Sequence, residues 1–213
     1  KDILNDKLDK ELKKKIKLPK SKKELSKELD SINLEEIQDI TIIVYSQVKK
    51  TNLKSKPDIV EVGISGSLQE KIDFIKEKAD KEILASEIFN AGEALDVRGL
   101  TKGKGFQGPV KRFGIALKAS KSEKGRRRPG SLAPWHPARV TFRSILAGQL
   151  GMFTRAHYNH NILEVGNSEK RKITNIKNYG DIKTEYIVVR GSLQGSSKRQ
   201  LVLTKPLRLT KKQ

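Results

Sequence analysis

The sequence predicts an α+β protein in which a small α/β unit precedes a set of short strands, and one long basic arm interrupts those strands. Three observations carry this. Helix-period stripes and β-branched runs alternate over residues 1–82, and from Ile83 onward the apolar residues fall into short, separated runs of strand character. Third, the positive charge is segregated: residues 1–90 hold 19 Lys and Arg against 18 Asp and Glu, a difference of +1, whereas residues 91–213 hold 26 against 7, a difference of +19.

Leu4, Leu8, Leu12 and Ile16 recur every fourth residue among lysines and acids, which predicts an amphipathic helix ended by Pro19. Ser21 and Glu24 have the capping-box spacing for a second helix, with Leu25 and Leu29 continuing its apolar face. Residues 40–47 and 58–65 are rich in β-branched side chains and predict two strands, joined by a lysine-rich loop that contains Pro57. Ser67 and Glu70 repeat the capping box, opening a helix with Leu68, Ile72, Ile75 and Ala79 inward. The charges of this unit read as a solvated surface.

Beyond Ile83, residues 93–101 alternate well enough for a half-buried strand, and residues 162–165, 186–189 and 201–203 predict further short strands, with Gly191 and Gly195 flanking a turn. Residues 114–134 hold almost no large apolar side chain, and KSEKGRRRPGS within them is a loop composition; residues 140–150 regain apolar residues. Short strands broken by one long excursion suggest a barrel or sandwich with an arm. The expected divisions are an α/β unit at 1–82, barrel strands and the arm's start at 83–113, the arm at 114–158, and the remaining strands with a basic C-terminus at 159–213.

Between Gly99 and Gly151 lie twelve basic residues, nine glycines and four prolines, with Glu123 as the only acid. Like charges repel and glycine raises the entropy cost of ordering, so this segment needs a polyanion to hold it. A chain of phosphates supplies that charge, and counterion release supplies favourable free energy.

Composition narrows the alternatives. At 35% hydrophobic residues the chain is lean for one generous core, so part of it is expected to be extended. The absence of cysteine excludes disulfides, thiolate metal sites and cysteine nucleophiles, and agrees with a reducing compartment. The longest apolar run, ITIIVY, is far short of the roughly 20 residues of a membrane span, so a soluble protein is expected. The chain opens at Lys1 without a secretion signal, and is expected to start inside a longer protein.

Gly103, Gly105 and Gly108 in KGKGFQG match a dinucleotide fingerprint in letters, but no helical periodicity follows Pro109 and no strand precedes an acid at the distance of about 20 residues that the fingerprint needs. The better reading lets backbone amides approach a phosphate while Lys102, Lys104, Lys111 and Arg112 neutralise its neighbours. The plainer alternative is a glycine-rich barrel turn with its lysines in water. Along the arm, Lys118, Lys121, Lys124, Arg126, Arg127 and Arg128 extend the same cationic track. Trp135, His136 and Pro137 sit in a basic, proline-rich loop, where the rings can stack on unpaired bases while Arg139 and Arg143 hold phosphates; the alternative is that this tryptophan is core. The three histidines, His136, His157 and His160, fit no metal motif, and no nucleophile–base pattern is present, so neither cofactor, metal, small-molecule substrate nor catalysis is expected.

GLTKGKGFQGPVKRFG at residues 99–114, PWHPARV at 134–140, AGQLG at 147–151 and YGDIKTEYIVVRGSLQG at 179–195 together resemble the universal large-subunit ribosomal protein L-three family, in its archaeal or eukaryotic form. The resemblance is strong from about Ile83 to the end and looser before it, where Tyr45, Ser46 and Gln47 stand for the more usual His-Thr-Gln. It implies a structural protein that binds large-subunit ribosomal RNA and neighbouring ribosomal proteins in the cytoplasmic ribosome. It further implies a Greek-key barrel of the translation-protein type, an α/β insertion, and an extension threading between RNA helices toward the peptidyl transferase centre. By the same resemblance KGKGFQG with Lys111 and Arg112 begins the extension, and Trp135, His136, Arg139 and Gln149 lie in its deep portion. The histidine matching His136 is methylated in some eukaryotic members, and the glutamine matching Gln149 in some bacterial ones. Met152 and Phe153 replace the usual aromatic-plus-histidine pair, although Arg155 is kept; the glycine-rich stretch ahead of Tyr179 is shortened, and the family's basic N-terminal arm and first strand are missing. The competing reading is an independent nucleic-acid factor or enzyme that shares the basic arm.

Overall fold

The computed structural model describes residues 2–5, 7–17, 24–79, 81–122 and 124–208. It divides into two compact units, residues 1–93 with 161–190, and residues 94–160 with 191–213. Both mix short helices with strands, and every register defined between strands is antiparallel, an α+β arrangement.

The first unit opens differently from the expected amphipathic helix: only a 3-10 helix at Lys10–Lys14 forms, and Leu12 alone of the four stripe residues is buried. Local side chains compete with the helix. Asn5 Oδ1 accepts from the Lys7 N–H at 3.0 Å, an Asx-type turn that bends the chain before a first helical turn can close. Asn5 Nδ2 also donates to the Ala79 carbonyl at 2.9 Å, tying the segment to a distant part of its unit. Pro19 and Ser21, expected to end this helix and cap the next, lie outside the described residues.

Helix α1, Leu25–Asp30, buries Leu29, and a second 3-10 turn follows at Leu34–Glu36. Strand β1, Thr41–Tyr45, passes through a helical turn α2, Val48–Thr51, and pairs antiparallel with β2, Ile59–Gly63, so that Ile43 faces Glu61. Helix α3, Leu68–Lys78, begins as its sequence dictates. The Ser67 hydroxyl accepts from the Glu70 N–H, and the Glu70 carboxylate accepts from the Ser67 N–H at 2.9 Å, satisfying two N-terminal donors reciprocally. Ile72 is buried, with Leu68, Ile75 and Ala79 half-buried on the same face. A further turn, α4, Ala85–Ile88, stands where strands and loops were expected.

In the second unit, β3, Ala94–Leu100, is the core strand. It lies between β6, Thr154–Asn167, and β8, Leu201–Thr204. Leu95, Asp96 and Val97 are consecutive and all buried, so the strand is covered on both faces rather than alternating. Each apolar member contributes roughly 1.5–3 kcal/mol on burial. The buried Asp96 carboxylate is satisfied by main-chain donors, Asn159 N–H at 2.9 Å and Leu207 N–H at 3.2 Å. Gln194 bridges the carbonyls of Val97 and Arg155. Strand β7, Glu185–Val189, belongs to the first unit and pairs antiparallel with the part of β6 that lies there, with an irregularity between Ile162 and Glu164. Between β3 and β6 run β4, Phe106–Gln107, a helical turn α5, Pro109–Phe113, and β5, Gly148–Gln149, all in the second unit.

Candidate nucleic-acid interface

The glycine-rich motif folds onto the AGQLG segment. Phe106 pairs with Gln149 across β4 and β5, the Lys104 N–H donates to the Leu150 carbonyl, and the Leu150 N–H donates to the Gly105 carbonyl, both at 2.9 Å. Gly151 has φ +79°, and a Cβ there would stand 2.0 Å from the Lys102 carbonyl oxygen. Only glycine fits. The close approach that these glycines permit within the structure is thus of the chain to itself, with Lys102 and Lys104 exposed beside it.

A helical turn does follow Gly108, contrary to the sequence expectation. Pro109, with its fixed φ and absent N–H, suits the first helical position, and Gly114 at φ +69° ends the turn. It spans five residues and leads into irregular chain, not a second strand of a βαβ unit. Arg112, on this turn, donates from Nε to the Gln149 carbonyl at 3.1 Å and from Nη1 to the Leu146 carbonyl at 2.9 Å, and its guanidinium lies over the Phe113 ring. Half-buried, it joins the two ends of the irregular stretch 114–147, a role that charge alone did not reveal.

Residues 114–147 contain no helix or strand among the described residues. The Lys118 N–H donates to the Arg126 carbonyl at 3.1 Å, and Arg126 Nε returns a bond to the Lys118 carbonyl at 3.3 Å. Ser144 Oγ donates to the Leu132 carbonyl at 2.8 Å. These contacts shape a concavity of about 410 Å³ that combines Lys118, Arg128 and Arg143 with Ile115, Leu132 and Ile145. Three cations beside apolar wall suit a phosphate joined to a flat ring.

Every other sequence-predicted site residue is exposed: Lys111, Lys121, Lys124, Arg127, His136, Arg139 and Arg155 among them. Among the described residues, none of the twelve basic side chains from 99 to 151 is ion-paired. Trp135 is 86% exposed, which removes the core reading of the tryptophan. Phe142 is fully exposed as well; sequence reasoning passed over it, although its place beside Arg143 in a basic stretch is the pattern that singled out Trp135. Gln149 turns its amide onto the carbonyls of Leu150 and Gly151, and Arg155 lies over the Phe153 ring. His157 and His160 stack at 5.4 Å on β6, and His136 takes no part in that pair. Among the described residues no three potential metal ligands converge, and no helix is long and apolar enough to cross a membrane.

The family model for Ribosomal protein L3 matches residues 5–213. The chain belongs to that family. Among curated relatives of this chain is the large ribosomal subunit protein uL3 of Methanococcus aeolicus, 39% identical over 97% of this chain and 64% of the relative. That of Methanocaldococcus jannaschii is 38% identical over the same shares, and that of Methanococcus vannielii is 41% identical over 92% of this chain and 60% of the relative. The chain therefore spans a little under two thirds of the length of these relatives, and the family resemblance carried by its four motifs is borne out.

Proposed function

We propose that this chain is a structural constituent of the large ribosomal subunit in the cytoplasm, not an enzyme, and that it binds ribosomal RNA through the arm at residues 114–158 and packs beside neighbouring ribosomal proteins. The observation that carries this is the arm itself. Eight cations between residues 114 and 147, none ion-paired among the described residues, in chain without helix or strand there, with Trp135 and Phe142 uncovered, are arranged for phosphates and splayed bases rather than for a protein core. In this reading the cavity at Lys118, Arg128 and Arg143 takes one nucleotide, Lys102, Lys104 and Lys111 hold phosphates at the root, and the arm supports RNA near the peptidyl transferase centre. Support for a Greek-key barrel, with residues 1–82 as an insertion, comes from the pairing of β3 with the non-consecutive β8.

Co-sedimentation tests the proposal. At moderate salt the protein should travel almost wholly with the large subunit, and a substantial free pool would favour an independent nucleic-acid factor.

A further inference from the structure

The first unit is nearly neutral by sequence, yet its charges are not evenly neutralised in space. Of the nine lysines between residues 24 and 93, eight have a carboxylate oxygen within 4 Å, as Lys71 has Asp39 and Lys76 has Asp30. Among the described residues the exception is Lys56. In the segment 10–17 the relation inverts. Lys14 meets Glu11 at 3.9 Å, whereas the side chains of Lys10, Lys13, Lys15 and Lys17 are exposed and make no ion pair or hydrogen bond among the described residues.

These unpaired cations are held together by the fold. Leu12 buries inward and fixes which way the 3-10 turn faces; Lys10 and Lys13, three residues apart, eclipse on the turn at about 6 Å along its axis. Lys14 Nζ donates to the Ser55 carbonyl at 3.2 Å, so the exposed Lys56, the next residue along the chain, stands close to this segment. The Tyr45 hydroxyl donates to Asp9 at 3.2 Å and secures the segment just ahead of the turn.

We infer that Lys10, Lys13, Lys15, Lys17 and Lys56 form a second phosphate-binding face, on the first unit, that takes the sugar–phosphate backbone of ribosomal RNA. The surface holds lysines without arginine and without an exposed aromatic ring among them, so it offers point charges with neither bidentate geometry nor a stacking platform. It reads charge, not bases. The inference rests on the RNA-binding function proposed above.

The test uses the full chain with protein-free large-subunit ribosomal RNA, and compares two variants with the parent: Lys→Gln at positions 10, 13, 15, 17 and 56 together, and Arg→Ala at 126, 127 and 128 together. The slope of log K against log salt should fall by roughly 0.7 to 0.9 for each lysine that reaches a phosphate, so a fall of about 1 or more in the lysine variant is the expected result. A smaller fall overturns the second face. If the arginine variant still loses slope in that case, the arm reading stands alone; if neither variant does, both readings fail. Polyglutamate titrated against the same proteins separates an acidic polypeptide partner, and a lysine variant that loses polyglutamate while keeping its RNA slope also overturns the inference.

Discussion

Arg112 and Gln149 stand 37 residues apart, and the guanidinium Nε of the first donates to the main-chain carbonyl of the second at 3.1 Å. This bond and its companion to Leu146 at 2.9 Å close the two ends of the irregular stretch 114–147 with a charged side chain that makes no ion pair. Arg112→Ala should therefore loosen the root before it affects affinity. With two hydrogen bonds lost, the expected destabilisation is about 1 to 2 kcal/mol, and amide exchange should quicken at residues 146–152. Unchanged exchange there would show that the backbone ladder of Lys104, Gly105 and Leu150 holds the root unaided.

Gly151→Ala should be the more damaging change at the same root. Its φ of +79° disfavours any side chain, and the obstacle at 2.0 Å is a backbone carbonyl that cannot swing aside. A loss of about 2 to 4 kcal/mol is expected from strain and broken ladder contacts. Chemical denaturation measures it. A cost below about 1 kcal/mol would mean that AGQLG does not lie against Lys102 in solution.

Trp135→Ala should leave the melting temperature of the isolated protein nearly unchanged, because an 86% exposed ring buries little in the protein itself. Subunit assembly or peptidyl transfer should nevertheless suffer, since stacking on a base is worth about 1 to 3 kcal/mol. Phe142→Ala should behave alike. A stability loss of about 3 to 5 kcal/mol in free protein would instead assign Trp135 to a core.

The elements that sequence revealed most clearly are those whose signal is local. The capping box of α3 needs only Ser67 and Glu70, and the antiparallel pair β1 and β2 is written in their β-branched residues. The first helix failed because Asn5 bonds back to its own chain and across to Ala79, contacts that apolar spacing does not encode. The absence of helix and strand among the described residues of 114–147 was legible from composition, but the second employment of Arg112 and the burial of Asp96 depend on partners far along the chain. Neither has a sequence signature. Phe142 was legible and overlooked.

Asp39 gives a pH dependence of known sign. The hydrogen bond from Lys71 at 2.5 Å, then that from the Ile40 N–H and the nearby Lys71 charge, hold its carboxyl below the ordinary value. The native state then binds this proton less readily than the unfolded chain, so the contribution to stability is present above the unfolded pKa of about 3.9 and is lost as pH falls through the depressed folded value. Asp39→Asn should flatten the acid limb of the stability curve and, by leaving the buried Lys71 without its carboxylate, lower stability at neutral pH. Lys71→Met should flatten the same limb at a smaller neutral loss, because no buried charge is left unpaired. Acid limbs that superimpose on the parent would show the pair to be open in solution.

The arm's order should depend on its RNA. Between residues 114 and 147 the internal bonds are few, and those joining Lys118 to Arg126 are exposed, so little apolar burial offsets roughly 1 to 2 kcal/mol of backbone entropy per residue. The lysines and arginines that trypsin recognises are the residues left without acidic partners. In the free protein cleavage should therefore begin between Lys118 and Arg128, ahead of the β3 and β8 core and ahead of Lys71 and Lys76, whose ammonium groups are engaged by Asp39 and Asp30. In intact subunits, neutralisation by phosphates and packing against RNA should protect the same bonds. Equal protection in the free protein would mean that the arm folds on its own unit without help, and the unpaired charge of residues 99–151 would then need a source of compensation other than a polyanion.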